Sequence, residues 1–223
     1  MRVNADFSAP AFARTGEMEW IPSPTPGVQR RMLDRVGDEV ARATSLVRYA
    51  PRSRFPEHTH GGGEEFLVLQ GVFADEHGEY PAGTYVRNPP GSSHAPASPA
   101  GCVLLVKLRQ FADDDTDRVV VDTRAGAWQP TGVDGVERLL LHGHGRERVA
   151  LYRLARGSRV PEHEHPGGEE TFVLEGGLAD GEREYLAGDW LRLPPGSRHA
   201  VTSEAGAVLW VKTGHLPPTE PAV

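Results

Sequence analysis

Apolar residues in this chain fall in runs of four to six, broken by glycine, proline and aspartate, and no segment keeps a helical period over three turns. The runs at 45–49, 65–69, 84–87 and 103–108 are rich in branched or aromatic residues and predict strands. A second set at 149–154, 171–174, 189–193 and 208–211 has the same character. Many short strands at regular spacing predict an all-β sandwich or barrel. Residues 29–34 alone admit a helical turn, and their counterparts at 137–141 read as strand.

The two sets are one set written twice. Residues 56–107 and 161–212 align without a gap at an offset of 105 and agree at 31 of 52 positions. The matches include Val68-Leu69 with Val173-Leu174, Ala74-Asp75 with Ala179-Asp180, and Glu79-Tyr80 with Glu184-Tyr185. Upstream the offset becomes 108, pairing Gly27-Val28 with Gly135-Val136, so the first copy carries three extra residues in a hairpin region between about 33 and 46. Each copy begins near a tryptophan, Trp20 or Trp128, and runs for about a hundred residues, the size of a domain and not of a solenoid repeat. The acidic stretch 113–117 reads as a linker, giving an N-terminal domain over 1–111 and a C-terminal domain over 112–223. The proline-rich end, 216–223, reads as loose.

Chemistry sits inside the repeat. His58, His60, Glu64 and His94 recur as His163, His165, Glu169 and His199, each 105 positions on. In a strand, His58 and His60 point to the same face and can share one ion. Glu64 follows a glycine turn and opens the next apolar run, while His94 follows the turn Asn88-Pro89-Pro90-Gly91. Three imidazoles and a carboxylate suit Zn, Fe(II), Mn, Ni or Cu(II), and they would close a tetrahedral ion or leave two positions open on an octahedral one. Alternation puts Glu64 on the face of Phe66 and Val68 and leaves Glu65 opposite, so Glu65 and Glu170 read as rim or inter-unit groups. His142-Gly143-His144 occurs without such partners, reads as an exposed hairpin turn, and is assigned no metal.

Composition narrows the partners. The formal charge of −7 and the lack of a basic stripe argue against nucleic acid. A lone cysteine, Cys102, excludes an internal disulfide framework, the first residues do not look like a signal peptide, and no run reaches membrane-spanning length. A reducing cytoplasm is the expected location.

Both copies resemble the cupin superfamily. Its first motif is matched by His58, His60, Glu64 and Gly71 and by His163, His165, Glu169 and Gly176. Its second is matched by Gly83, Pro89, Gly91 and His94 and by Gly188, Pro194, Gly196 and His199. The chain departs at Ser98 and Ser203, where many cupins carry an asparagine. Residues 62–71 and 83–94 further resemble the cupin domains of ChrR-type anti-sigma factors and of acetylacetone dioxygenase. The resemblance implies two tandem jelly-roll barrels, each with one divalent transition metal inside, Fe(II) or Zn first and Mn or Ni next.

It also implies two functions. One is a non-haem metal dioxygenase, or a related metal-assisted enzyme, on a small oxygenated diketone or acid. The other is a zinc-binding sensory or regulatory protein without catalysis. Direct sigma-factor binding is not expected, because the chain has neither spare length nor paired cysteines for a helical zinc domain. The expected partner is a small molecule, with homodimer formation through exposed strand edges compatible with the fold. Arg87 and Arg192 are candidates for orienting an anion, with exposed strand positions as the simpler reading, and Tyr85 and Trp190 for shaping the pockets or filling the core.

Overall fold

A computed structural model of the chain describes residues 1–217, and its long elements are all β-strands. Among the described residues the single helical element is a 3-10 turn at Thr15–Glu17. Residues 29–34 lie within the strand Val28–Gly37. The proline-rich end from 218 onward lies outside the described residues, and Leu216 just before it is buried.

The chain forms two compact units, one of Met1–Ala5 and Met18–Gly126, the other of Asp6–Glu17 and Ala127–Val223. They are not two consecutive halves, because strand pairing assigns two outlying segments. In the first unit the main sheet runs Arg2–Val3, Val28–Gly37, Ala41–Tyr49, Cys102–Leu108, Glu64–Asp75, Thr84–Asn88 and Val119–Asp122, with antiparallel neighbours throughout. In the second unit the order is Gln129–Pro130, Val136–His144, Glu147–Leu154, Ala207–Thr213, Glu169–Ala179, Asp189–Leu193 and Ala11–Arg14. The acidic stretch expected to be a linker is anchored, since Asp115 is buried and ion-paired with Arg87.

Each unit curls because its longest strand belongs to two sheets. Glu64–Asp75 pairs with Cys102–Leu108 up to Gly71, with a bulge at Leu69, and then pairs with Gly78–Pro81 and with Ala97. Glu169–Ala179 does the same around Gly176, joining Glu184–Leu186 and Ser197–Ser203. Bulges supply such bends. Gly71 has φ 73° and Gly176 φ 68°, and a Cβ at either would lie 2.0 Å from the carbonyl oxygen of Gly101 or Gly206. The glycine of the first motif is therefore a corner where only a hydrogen side chain fits. The result in each unit is a jelly-roll barrel. The three-residue difference between the copies is a longer hairpin tip, where Gly37–Ala41 pairing in the first unit stands against the tighter His144–Glu147 pairing in the second.

Alternation fills each barrel from one face of its strands. In the first unit Phe66, Val68, Val86, Leu104 and Val106 form one core with Phe73 and Tyr80. In the second, Val173, Leu191, Leu209 and Val211 pack with Leu178, Tyr185 and Val201. The opposite faces are buried as well, which explains why these strands read as nearly continuous apolar runs.

The corner yields a stability prediction. Gly71→Ala should lower unfolding free energy by about 2 kcal/mol or more through forced φ and steric displacement. Chemical denaturation measures this, and a change within about 0.5 kcal/mol would contradict the assigned role.

Candidate metal centres

The predicted residues converge in both units. His58 lies in the short strand His58–Thr59, opposite His94 of Ser93–His94. His163 and His199 face each other in the same way. Glu64 and Glu169 are the first residues of their long strands. In the first unit the three imidazole rings lie 4.7 to 5.0 Å apart between centroids, and Glu64 Oε2 lies 3.5 Å from Nε2 of both His60 and His94. In the second, one nitrogen or oxygen from each of His163, His165, Glu169 and His199 falls within a 4.8 Å cluster. The carboxylate sits somewhat aside in the first unit, where only the three histidine nitrogens meet that limit.

Burial sets the charge state of these groups. It pushes His60 down to about 4, assisted by the neighbouring His58, and pushes His165 down to about 4 with His163 assisting. His94 and His199 are lowered chiefly by burial too. These four imidazoles are thus held toward the neutral form, the one that donates a lone pair to a metal. Burial raises Glu64 and Glu169, although nearby histidines oppose the shift. A cation placed among these groups would reverse that logic by favouring the carboxylate. His60 Nε2 is buried without a hydrogen-bond partner among the described residues, an arrangement that costs about 1–3 kcal/mol unless something binds it. In the second unit Nε2 of His165 and of His199 face each other at 3.0 Å, two nitrogens that need a shared proton or an ion. Donor chemistry and orphaned atoms alike fit a divalent transition metal.

A family model described as the ChrR cupin-like domain matches the chain twice, at residues 8–112 and 116–217. The chain belongs to this cupin family. Among solved structures, a candidate dioxygenase from Nostoc punctiforme is 15% identical, with a TM-score of 0.78 over 96% of this chain and 88% of that one. The YlbA protein of E. coli is 13% identical, with a TM-score of 0.68 over 96% and 95% of the two chains. An oxalate decarboxylase from Lactobacillus farciminis, in complex with formate, is 12% identical, with a TM-score of 0.62 over 93% and 87%. At these identities the likeness is one of fold. No curated protein matches the sequence.

In this cupin a further layer, not singled out in the sequence, orients the histidines. His94 Nδ1 lies 3.3 Å from Asp75 Oδ2, and Asp75 Oδ1 accepts a hydrogen bond from the Tyr80 hydroxyl at 3.1 Å. The second unit repeats the tyrosine contact, Tyr185 donating to Asp180 at 2.5 Å, while His199 Nδ1 has no hydrogen-bond partner among the described residues. Asp180 also accepts from the backbone N–H groups of Glu182 and Arg183. The recurrence of Asp75 and Tyr80 at an offset of 105 was the available signal. Nδ1 of His163 faces the Pro161 carbonyl at 2.9 Å, and that of His58 faces Pro56 at 3.5 Å, which turns Nε2 inward.

Several candidate residues occupy other places. Arg87 and Arg192 are neither exposed nor in the cavities, because they alternate with Val86 and Leu191, which face the core, and so point to the opposite sheet face. Arg87 pairs with Glu65 and Asp115, so Glu65 is a buried ion-pair partner and not a rim group. Glu170 is likewise buried, accepting from Trp190 Nε1 at 2.8 Å. Tyr85 and Trp190 fill this same face and do not line the cavities. Ser98 and Ser203 donate to the carbonyls of Val72 and Gly177 at 2.7 and 2.6 Å, holding the barrel corner instead of a metal ligand. His142 lies in the strand Val136–His144 and is buried, the turn falling after His144, so the exposed-hairpin reading is corrected. No helix among the described residues is long and apolar enough to cross a membrane.

The aspartate contact carries a prediction. Asp75→Asn should weaken the first site's affinity for a divalent ion by about 10- to 100-fold, as loss of a histidine-orienting carboxylate does elsewhere. Competition against a chromophoric chelator would read it, and affinity equal to wild type would contradict the role. Asp180→Asn should change the second site less, because His199 makes no hydrogen bond to it.

Proposed function

We propose that each unit holds one divalent transition metal through its three histidines and glutamate, and that the protein is a metal-dependent enzyme acting on a small oxygenated substrate, a diketone or a keto or hydroxy acid, with dioxygen as co-substrate. The observation that carries this reading is the union of a buried carboxylate and neutral imidazoles with a ligand-sized cavity. The first cavity measures about 480 Å³ and includes His58, His60 and Glu64 in its wall, and the second measures about 280 Å³ and includes all four of its cluster. Such volumes match sites for small ligands. A purely structural or sensory zinc site, closed by four protein ligands, has no need of this space.

His58, His60, Glu64 and His94 would hold the ion in the first unit, and His163, His165, Glu169 and His199 in the second. When bound, the metal supplies Lewis acidity toward a chelating oxygen and, if it is Fe(II), a redox partner for dioxygen. The chain's own contribution is orientation and dryness. Asp75 and the Pro161 carbonyl fix ring rotation through Nδ1. Val136, Leu154, Leu178, Val201 and Leu209 surround the second cluster with apolar walls that exclude bulk water and strengthen electrostatic contacts inside.

An oxygen electrode tests the proposal. Iron-loaded protein should consume oxygen with at least one member of a panel of diketones and of keto and hydroxy acids, and His58→Ala with His163→Ala together should abolish it. If iron-loaded protein stays silent across the panel while zinc binds at full occupancy, the dioxygenase reading fails and the regulatory zinc protein stands in its place.

A further inference from the structure

The two cavities have diverged in charge. The strand Val28–Gly37 turns Arg30 and Arg35 into the first cavity, because its bulge between Met32 and Asp34 brings an even and an odd position to one face, and Arg109 joins them at the end of Cys102–Leu108. In the second unit no arginine or lysine lines the cavity, whose polar side chains outside the cluster are Tyr152 and the threonines Thr131, Thr171 and Thr213. The counterpart of Arg30 is the exposed Arg138, that of Arg35 by strand register is Gly143, and that of Arg109 is Gly214.

Arg109 is the decisive position. Its backbone is left-handed at φ 57°, where its counterpart Gly214 has φ 75°. The same hydrogen bond holds both, Arg109 N–H to the Gly63 carbonyl at 3.0 Å and Gly214 N–H to the Gly168 carbonyl at 3.1 Å. The geometry suits glycine, and the first unit accepts strain to place a guanidinium there. That guanidinium lies over the ligand loop. A Cβ on Gly61, the residue after His60, would sit 3.3 Å from Arg109 Nη1.

The neighbouring charges leave room for an anion. Arg35 is buried, donates to the backbone carbonyls of Asp38 and Glu39, and also feels the carboxylates of those two residues, so it plays a supporting part. Arg30 faces Glu39 at 3.6 Å and donates to Ser23. Of the other carboxylates in the wall, Glu57 accepts from Ser93, and Glu64 belongs to the histidine cluster. Three guanidinium groups thus share the first cavity wall with the carboxylates of Glu39, Glu57 and Glu64, whereas the second cavity has no guanidinium in its wall.

We propose that the first unit selects a substrate bearing a second, distal carboxylate, with Arg109 as the specificity-determining residue and Arg35 and Arg30 supporting it, while the second unit takes a smaller ligand without that group. Guanidinium recognises carboxylate through paired, charge-assisted hydrogen bonds. The inference rests on the reading of each cluster as a metal site that chelates oxygenated molecules, and it adds which molecule each site accepts.

Calorimetric titration of the full-length, metal-loaded chain tests it with two 2-oxo acids of equal length. 2-Oxoadipate carries a terminal carboxylate where 2-oxohexanoate carries a methyl group. The double variant His163→Ala with His165→Ala confines binding to the first unit, and His58→Ala with His60→Ala to the second. The first unit should prefer 2-oxoadipate by about 10-fold or more, the scale of one charge-assisted pair, and the second unit should show no such preference. Arg109→Gly, which restores the residue its backbone suits and so keeps the fold, should remove most of that preference while leaving 2-oxohexanoate affinity within about twofold. Thermal unfolding of this variant at or above the wild-type midpoint would verify an intact barrel. Equal binding of the two acids by the first unit, or an unchanged preference in Arg109→Gly, would overturn the inference alone. Failure of the metal-loaded protein to bind either acid would overturn the chelation reading together with it.

Discussion

Both barrels are organised around the same electrostatic demand, a buried carboxylate beside imidazoles of which two in each cluster are lowered by burial. Taking Glu64 or Glu169 out of water without a cation raises its proton affinity, and burial at the same time lowers that of His60 and His165. The histidines offset the burial of the carboxylate only in part. A divalent ion resolves the conflict for all of them at once, which is why the donor sets, the orphaned His60 Nε2 and the facing nitrogens of His165 and His199 belong to one explanation.

The jelly roll supplies what that centre requires. The corner at Gly71 or Gly176 lets one long strand start at the cluster, as Glu64 or Glu169, and finish in the second sheet. That finish delivers Asp75 beside His94, so the bend that closes the barrel also orients a ligand. The alternating strand positions then divide the remaining work. One face lines the core and cavity, and the other buries Glu65 with Arg87 and Glu170 with Trp190.

Most of the fold and the two clusters were legible because their signals are local or periodic. Histidines two apart, a glutamate after a glycine turn and a histidine after a proline turn need no knowledge of distant contacts, and an offset of 105 repeats them all. Strand alternation also separated Glu64 from Glu65 correctly by face. What stayed hidden depends on what covers a surface or which edge a segment joins. Charged residues such as Arg87, Glu65 and Asp115 read as exposed or linking, yet they are buried through mutual pairing that residue type alone does not reveal. The Asp75 and Tyr80 contact to His94 spans two sheets, and only the repeat marked it. The strained Arg109 is invisible without φ, although its alignment with Gly214 hinted that the position favours glycine.

Duplication kept both clusters of three histidines and a glutamate and let the cavity walls drift. The most direct measurement is the metal content per chain of protein purified without chelators or affinity tags, for the wild type and for His58→Ala with His60→Ala. The account predicts about two equivalents of divalent transition metal in the wild type and about one in the double variant. A wild-type chain that carries no metal, and takes up none when it is offered, would contradict the central claim.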